Sequence, residues 1–162
     1  MEQKLTFSKT FRYEIVKGKS PSKILYVLHG YGQLSKFFSR KFSSLPDDIM
    51  LVAPEGMHRF YLNGSSGRVG ASWMTKEARE DDISDNVNWL NKLHHSITEE
   101  HQIDKAYLLG FSQGGATAAR WQVSGEVHFE AMALWACVFP PDLSISELKK
   151  NKIPSFFLIG DQ

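Results

Sequence analysis

Between residues 106 and 121, an apolar run, Ala106-Tyr107-Leu108-Leu109, enters Gly110-Phe111-Ser112-Gln113-Gly114-Gly115 and leaves through Ala116-Thr117-Ala118-Ala119-Arg120-Trp121. The first segment reads as a buried strand and the last as a helix. The glycines between them permit a close strand-to-helix corner with a serine at its tip. The buried-strand signature recurs at Ile24-Leu25-Tyr26-Val27-Leu28, at Met50-Leu51-Val52-Ala53, over residues 131–136 and at Phe156-Phe157-Leu158-Ile159. Continuously apolar strands are expected where helices cover both faces of a sheet. Phe11-Arg12-Tyr13-Glu14-Ile15-Val16 alternates loosely between turn residues and reads as a half-exposed strand. Ile83, Val87, Leu90, Leu93 or His94, and Ile97 recur at helical spacing, with Asp85, Asn88, Asn91 and Lys92 opposite them. Strands alternating with helices predict an α/β fold, a mostly parallel, doubly wound sheet with helices on both faces. No repeat, low-complexity tract or linker divides residues 1–162, which read as a single domain.

In such sheets the chemistry lies at the carboxyl ends of the strands. Three segments fall there: His29-Gly30-Tyr31-Gly32, Pro54-Glu55-Gly56 and the serine corner. The corner matches G-x-S-x-G, the nucleophile elbow, which presents a serine hydroxyl at the top of the sheet. Serine is a weak nucleophile, so Ser112 needs a base and donors for the developing oxyanion. One expected donor is the backbone N–H of Gln113, at the positive end of the following helix. The other is assigned to the Tyr31 N–H, which glycines on either side allow to turn toward the site. On this reading the side chains of Tyr31 and Gln113 matter less than their turns. Gln113→Ala is then mild, and Gly30→Val severe if Gly30 adopts a conformation closed to branched residues. The long stretch 55–75, rich in Gly and Ser and carrying Phe60, Tyr61, Trp73 and Met74, reads as a loop walling the site. Trp73 and Met74 are its candidate substrate-pocket residues, although aromatics packed back on the core are a serious rival reading.

Leu28-His29-Gly30-Tyr31-Gly32, Pro54-Glu55-Gly56, Ser72-Trp73 and the serine hexapeptide occur in the order seen in the phospholipase/carboxylesterase branch of the α/β-hydrolases, which includes acyl-protein thioesterases. The chain resembles that branch from about His29 to Asp161. The resemblance implies an α/β-hydrolase fold and cleavage of a carboxylic ester or thioester through an acyl-Ser112 intermediate. It places Tyr31 and Gln113 at the oxyanion hole. His29 matches the family's His-Gly dipeptide, which shapes the turn and is not the base; Gly30, Gly110 and Gly114 support the motif. No cofactor or metal is implied, and the expected partner is a small ester or thioester.

The triad of this fold runs Ser, Asp, His along the chain. The family's Asp belongs to a G-x-x-D motif after the strand at 156–159, and its His lies further on. Gly160-Asp161-Gln162 stops one residue short of that Asp, so Asp161 is out of register. His128, the only histidine after Ser112, reads as a surface loop residue. The expectation is a serine hydrolase without its last strand and helix. The alternative is a catalytically silent hydrolase-fold fragment or binding protein. The strand at 156–159 would then form an apolar edge through which copies could self-associate.

Other classes find little support. Gly18-Lys19-Ser20 ends like a P-loop, but Tyr13 stands where its first glycine belongs and Pro21 follows. Gly30-x-Gly32-x-x-Ser35 lacks the third glycine and the later carboxylate of a dinucleotide fingerprint. His94, His95 and His101 lack companions at metal-ligand spacing. A net charge of +1 argues against nucleic acid and acidic membranes. The single cysteine, Cys137, lies in the apolar run 131–139 and reads as an inert thiol in a buried strand. Asn63-Gly64-Ser65 reads as a turn. With neither a signal-like N-terminus nor a membrane-length apolar run, a cytoplasmic location without membrane insertion is expected.

Overall fold

The computed structural model describes residues 1–150 and 153–160. Its centre is a six-stranded sheet in the order β1-β3-β2-β6-β7-β8. The strands are β1 (Tyr13–Lys17), β2 (Lys23–Leu28), β3 (Ile49–Pro54), β6 (Lys105–Phe111), β7 (Ala131–Trp135) and β8 (Ser155–Leu158). Only β1 runs antiparallel, against β3; the remaining pairs are parallel. A separate hairpin, β4 (His58–Asn63) and β5 (Ser66–Ser72), follows β3. The helices are α1 (Ser35–Phe38), continued by a 3-10 turn (Ser39–Phe42), then α2 (Arg79–Glu100), α3 (Gln113–Ser124) and α4 (Ile145–Lys150).

Strand alternation divides the core between the two faces. Ile24, Tyr26 and Leu28 of β2 join Leu90 and Leu93 of α2 and Ala118 and Trp121 of α3. Val27 faces the other way, with Leu51, Ala53 and Phe38 of α1. Helices therefore cover both faces, which is why β2, β3 and β6 are apolar without interruption.

Three local expectations are corrected. Residues 55–75 are not an irregular loop: most of them form the β4–β5 hairpin. Gly64 takes φ 60° in its turn and Gly67 φ 87° at the start of β5, so the Gly/Ser content marks the turn region and not a lack of structure. The apolar run 131–139 is a strand only to Trp135. Ala136 turns at φ 46°, leaving Cys137 half-buried in the loop beyond. Asn91 does not lie on the exposed face of α2. It is buried, and its Oδ1 accepts the indole N–H of Trp121 at 2.8 Å and the Glu126 N–H at 3.1 Å.

Candidate active site

β6 delivers Ser112 to the carboxyl edge of the sheet, and α3 begins immediately after it. Ser112 has φ 52° and ψ −119°, a conformation that persists in a non-glycine residue only where the surroundings enforce it. They do so here. The Ser112 N–H donates to Trp135 O, and Ser112 O accepts the Gly115 N–H, each at 2.9 Å. A Cβ on Gly110 would lie 2.5 Å from Gly115 Cα, and one on Gly114 would run into the carbonyl oxygens of Leu28 and His29. Close approach, rather than dihedral freedom, demands glycine at both positions.

The turn after β2 lies directly against the serine. A Cβ on Gly30 would come within 2.9 Å of the Phe111 ring and 3.2 Å of Ser112 Cβ. Gly32, not Gly30, is the residue at positive φ in this turn, so the demand at Gly30 is for space. The Gly30 N–H donates to Gln33 Oε1, the Gly32 N–H to Ala71 O and the Gln33 N–H to Gly30 O. The Tyr31 amide has no such partner among the described residues. The Gln113 N–H opens α3 and has no carbonyl one turn earlier to receive it. Both N–H groups thus lie in the segments that adjoin Ser112, without a backbone partner among the described residues.

His29 is fully buried and committed at both nitrogens. Nδ1–H donates to Gly30 O at 2.8 Å, and Nε2 accepts the Gly56 N–H at 2.9 Å. Each partner has a single role, so the tautomer follows from the contacts. Burial pushes the imidazole below its ordinary range and keeps it neutral. It ties the end of β2 to the end of β3 and has no nitrogen free to act as a base. The acid, Glu55, is also buried, receiving Ser35 Oγ at 3.2 Å and Arg59 Nη1 at 3.4 Å.

Trp73 is displaced from its expected role. It is completely buried against the His29 ring and donates its indole N–H to His29 O at 2.8 Å, so it supports the turn from below and presents no wall to a substrate. Met74 is half-buried, with its sulfur 3.5 Å from Arg120 Nη1. An apolar patch does lie along the turn after β2. The Tyr31 ring, 61% exposed, packs on Phe60 of β4 at 5.1 Å, and Leu62 Cδ2 approaches the space beside Gly32. Alternation along β4 could have put Phe60 and Leu62 on one face, but only with the strand itself recognised.

Sequence reasoning assigns the Gln113 side chain little weight and has no signal for Gln33 or Asn86. Gln113 bonds Ser72, Trp73 and Met74, and Asn86 Nδ2 donates to Trp73 O at 2.8 Å. The Ser72-Trp73 pair was visible in the sequence, and its two partners were not.

His128 is exposed. The chain next to it begins β7 beside the start of β6, where Glu130 N–H meets Ala106 O, at the end of the sheet opposite Ser112. His94 Nδ1 hydrogen-bonds the Tyr26 hydroxyl, His95 pairs with Glu126 and His101 with Lys17. Cys137 packs against Gly115, and burial pushes its thiol up. Among the described residues, no cluster of three His, Cys, Asp or Glu side chains could hold a metal, and no helix is long and apolar enough to cross a membrane. Asp161 lies outside the described residues.

A mostly parallel sheet with helices on both faces and a serine at the corner after a central strand defines an α/β-hydrolase fold. The profile of the family described as Serine hydrolase (FSH1) matches residues 18–162, and the chain belongs to that family. No curated protein matches the sequence significantly. Solved structures share the fold at low identity. A carboxylesterase from Mesorhizobium loti has a TM-score of 0.71 at 15% identity, over 93% of this chain and 89% of its own. For the Bacillus cereus carboxylesterase the values are 0.66 and 17%, over 91% and 83%. For acyl-protein thioesterase 2 of Zea mays they are 0.64 and 18%, over 90% and 74%.

Proposed function

We propose that this serine hydrolase cleaves carboxylic esters or thioesters through an acyl intermediate on Ser112. The observation carrying the reading is the strained Ser112 corner with Gly30, the start of the turn after β2, packed against its side chain. Ser112 Oγ bonds to the acyl carbon, its proton passes to a general base, and the carbonyl electrons move onto oxygen. The Tyr31 and Gln113 amides receive that oxyanion at the helix N-terminus, where the dipole favours negative charge. Collapse expels the alcohol or thiol, which is protonated, and water then releases the acid from Ser112 by the same path. His29 is not the base, since both its nitrogens are spent. The exposed Tyr31 and Leu62, with half-buried Phe60 between them, supply an apolar approach for the acyl chain in place of buried Trp73. The named carboxylesterases and the acyl-protein thioesterase, which share the fold, are consistent with this substrate class.

The test is fluorophosphonate labelling with peptide mapping, together with turnover of p-nitrophenyl esters of increasing chain length. A single adduct on Ser112, lost in Ser112→Ala, supports the reading. An adduct that persists in Ser112→Ala overturns the assignment. Ester binding without turnover or labelling would favour the rival reading of a silent binding protein.

A further inference from the structure

The Gln113 carboxamide is a better-satisfied group than a residue valued only for its backbone needs to be. The Trp73 N–H donates to Oε1 at 3.0 Å. Nε2 donates to Met74 O at 2.8 Å and to Ser72 Oγ at 3.0 Å. Ser72 Oγ lies 2.8 Å from Met74 O and 3.2 Å from Gln113 Oε1, and its one proton serves the shorter contact. A backbone donor on one side and a backbone acceptor on the other dictate which way the amide faces. The side chain thereby joins the first residue of α3 to the chain leaving β5. That chain is itself anchored: Trp73 O receives Asn86 Nδ2 at 2.8 Å, and the Trp73 indole is held on His29.

We propose that the Gln113 side chain is a positioning residue: it clamps the start of α3 to Ser72–Trp73–Met74 and so aims the Gln113 N–H at the developing oxyanion. The inference rests on the acyl-Ser112 reading. Its physical content is that an N–H at a helix start, with no intrahelical bond, takes its direction from whatever holds its residue. Losing an oxyanion donor costs about 10²–10³ in kcat. Misdirecting one by a fraction of an ångström costs less, on the order of 10–10²-fold. The clamp also discriminates between isosteres. A carboxylate in place of the amide keeps the acceptor for Trp73 N–H but sets a negative oxygen against Met74 O. Only its protonated form can restore both bonds.

The experiment compares wild type, Gln113→Ala, Gln113→Glu and Ser72→Ala by the rate of fluorophosphonate labelling at Ser112, by kcat and KM on p-nitrophenyl acetate and by amide exchange at Trp73. In Gln113→Ala, labelling and kcat should fall about 10–10²-fold with KM within about threefold, and Trp73 amide protection should be lost. Gln113→Glu should match that loss at neutral pH and recover part of it, relative to Gln113→Ala at the same pH, as the pH is lowered. If Gln113→Ala does not fold, Ser72→Ala, which removes one partner of the amide, should show the same pattern at several-fold size. Unchanged labelling in a folded Gln113→Ala protein overturns this inference while leaving the Ser112 reading intact. No adduct on Ser112 in wild type overturns both.

Discussion

At the scale of single residues, the site is governed by space. Gly30 is not at positive φ, and the Phe111 ring and Ser112 Cβ crowd the place a side chain would take. Gly30→Val should therefore push the Tyr31 amide away from Ser112, lowering kcat by about 10²-fold or more while circular dichroism stays close to wild type. A folded valine variant of normal kcat would show that this turn contributes nothing to the reaction. His94 makes a different prediction. Burial, with a smaller contribution from His95, pushes it down to about 4 from an ordinary 6.5, and its Nδ1 lies 2.8 Å from the Tyr26 hydroxyl. Between those pH values the unfolded chain holds more protons than the folded one. The stability contributed by neutral His94 is complete above about 6.5 and falls away as the pH drops toward 4. His94→Gln, which keeps an acceptor but cannot titrate, should flatten the dependence of the urea midpoint on pH across that window. An unchanged slope would place the sensitivity elsewhere.

At the scale of elements, polar side chains join pieces that hydrophobic periodicity assigns separately. Asp142, in the connection after β7, receives Arg120 Nε at 2.9 Å and Arg120 Nη2 at 2.7 Å, and also pairs with Arg79 at the start of α2. One carboxylate thus links α2, α3 and the β7–α4 connection. The hydrogen bonds from Arg120 hold its carboxyl well below the usual range, so the stability it contributes is complete above the ordinary carboxylate pKa and is lost as the pH falls below it. Breaking a buried pair costs about 3–5 kcal/mol, and partial exposure of Asp142 lowers the expectation for Asp142→Asn to about 2 kcal/mol. Urea denaturation at neutral pH measures this directly, and a loss below about 0.5 kcal/mol would reduce the cluster to surface charge pairing. The hairpin is the element most poorly legible in sequence. β4 and β5 form their strand pairing with each other, with the Gln33–Ala71 bridge as the link to the turn after β2, so no long apolar run announces either strand.

At the scale of the whole molecule, the exposed edge formed by β8 stands out. Phe156, Phe157, Leu158 and Ile159 are all exposed, beside a row of backbone groups that face no further strand among the described residues. An apolar edge of this kind favours pairing with another chain. A polypeptide of these 162 residues is expected to self-associate in a concentration-dependent way, and Phe157→Lys to reduce the association, as read by light scattering. A monodisperse monomer at high concentration would remove that expectation.

The alternation of apolar runs with helical spacing determined a mostly parallel sheet covered by helices on both faces, because burial on both sides demands continuous hydrophobicity; the order of its strands came only with the fold. The serine corner was legible for a similar reason: close backbone approach can be met only by glycine, and glycine is visible in the text of the chain. What only the tertiary structure decided was which polar groups meet. The sequence shows Gln113 beside Ser112 and Ser72 beside Trp73, but nothing local says that the amide of one locks the backbone of the other. Nor does spacing distinguish a tryptophan that walls a pocket from one buried beneath it. Those choices are made by hydrogen bonds spanning about forty residues, such as Gln113 to Trp73 and Trp73 to His29, and they exist only once the chain has folded.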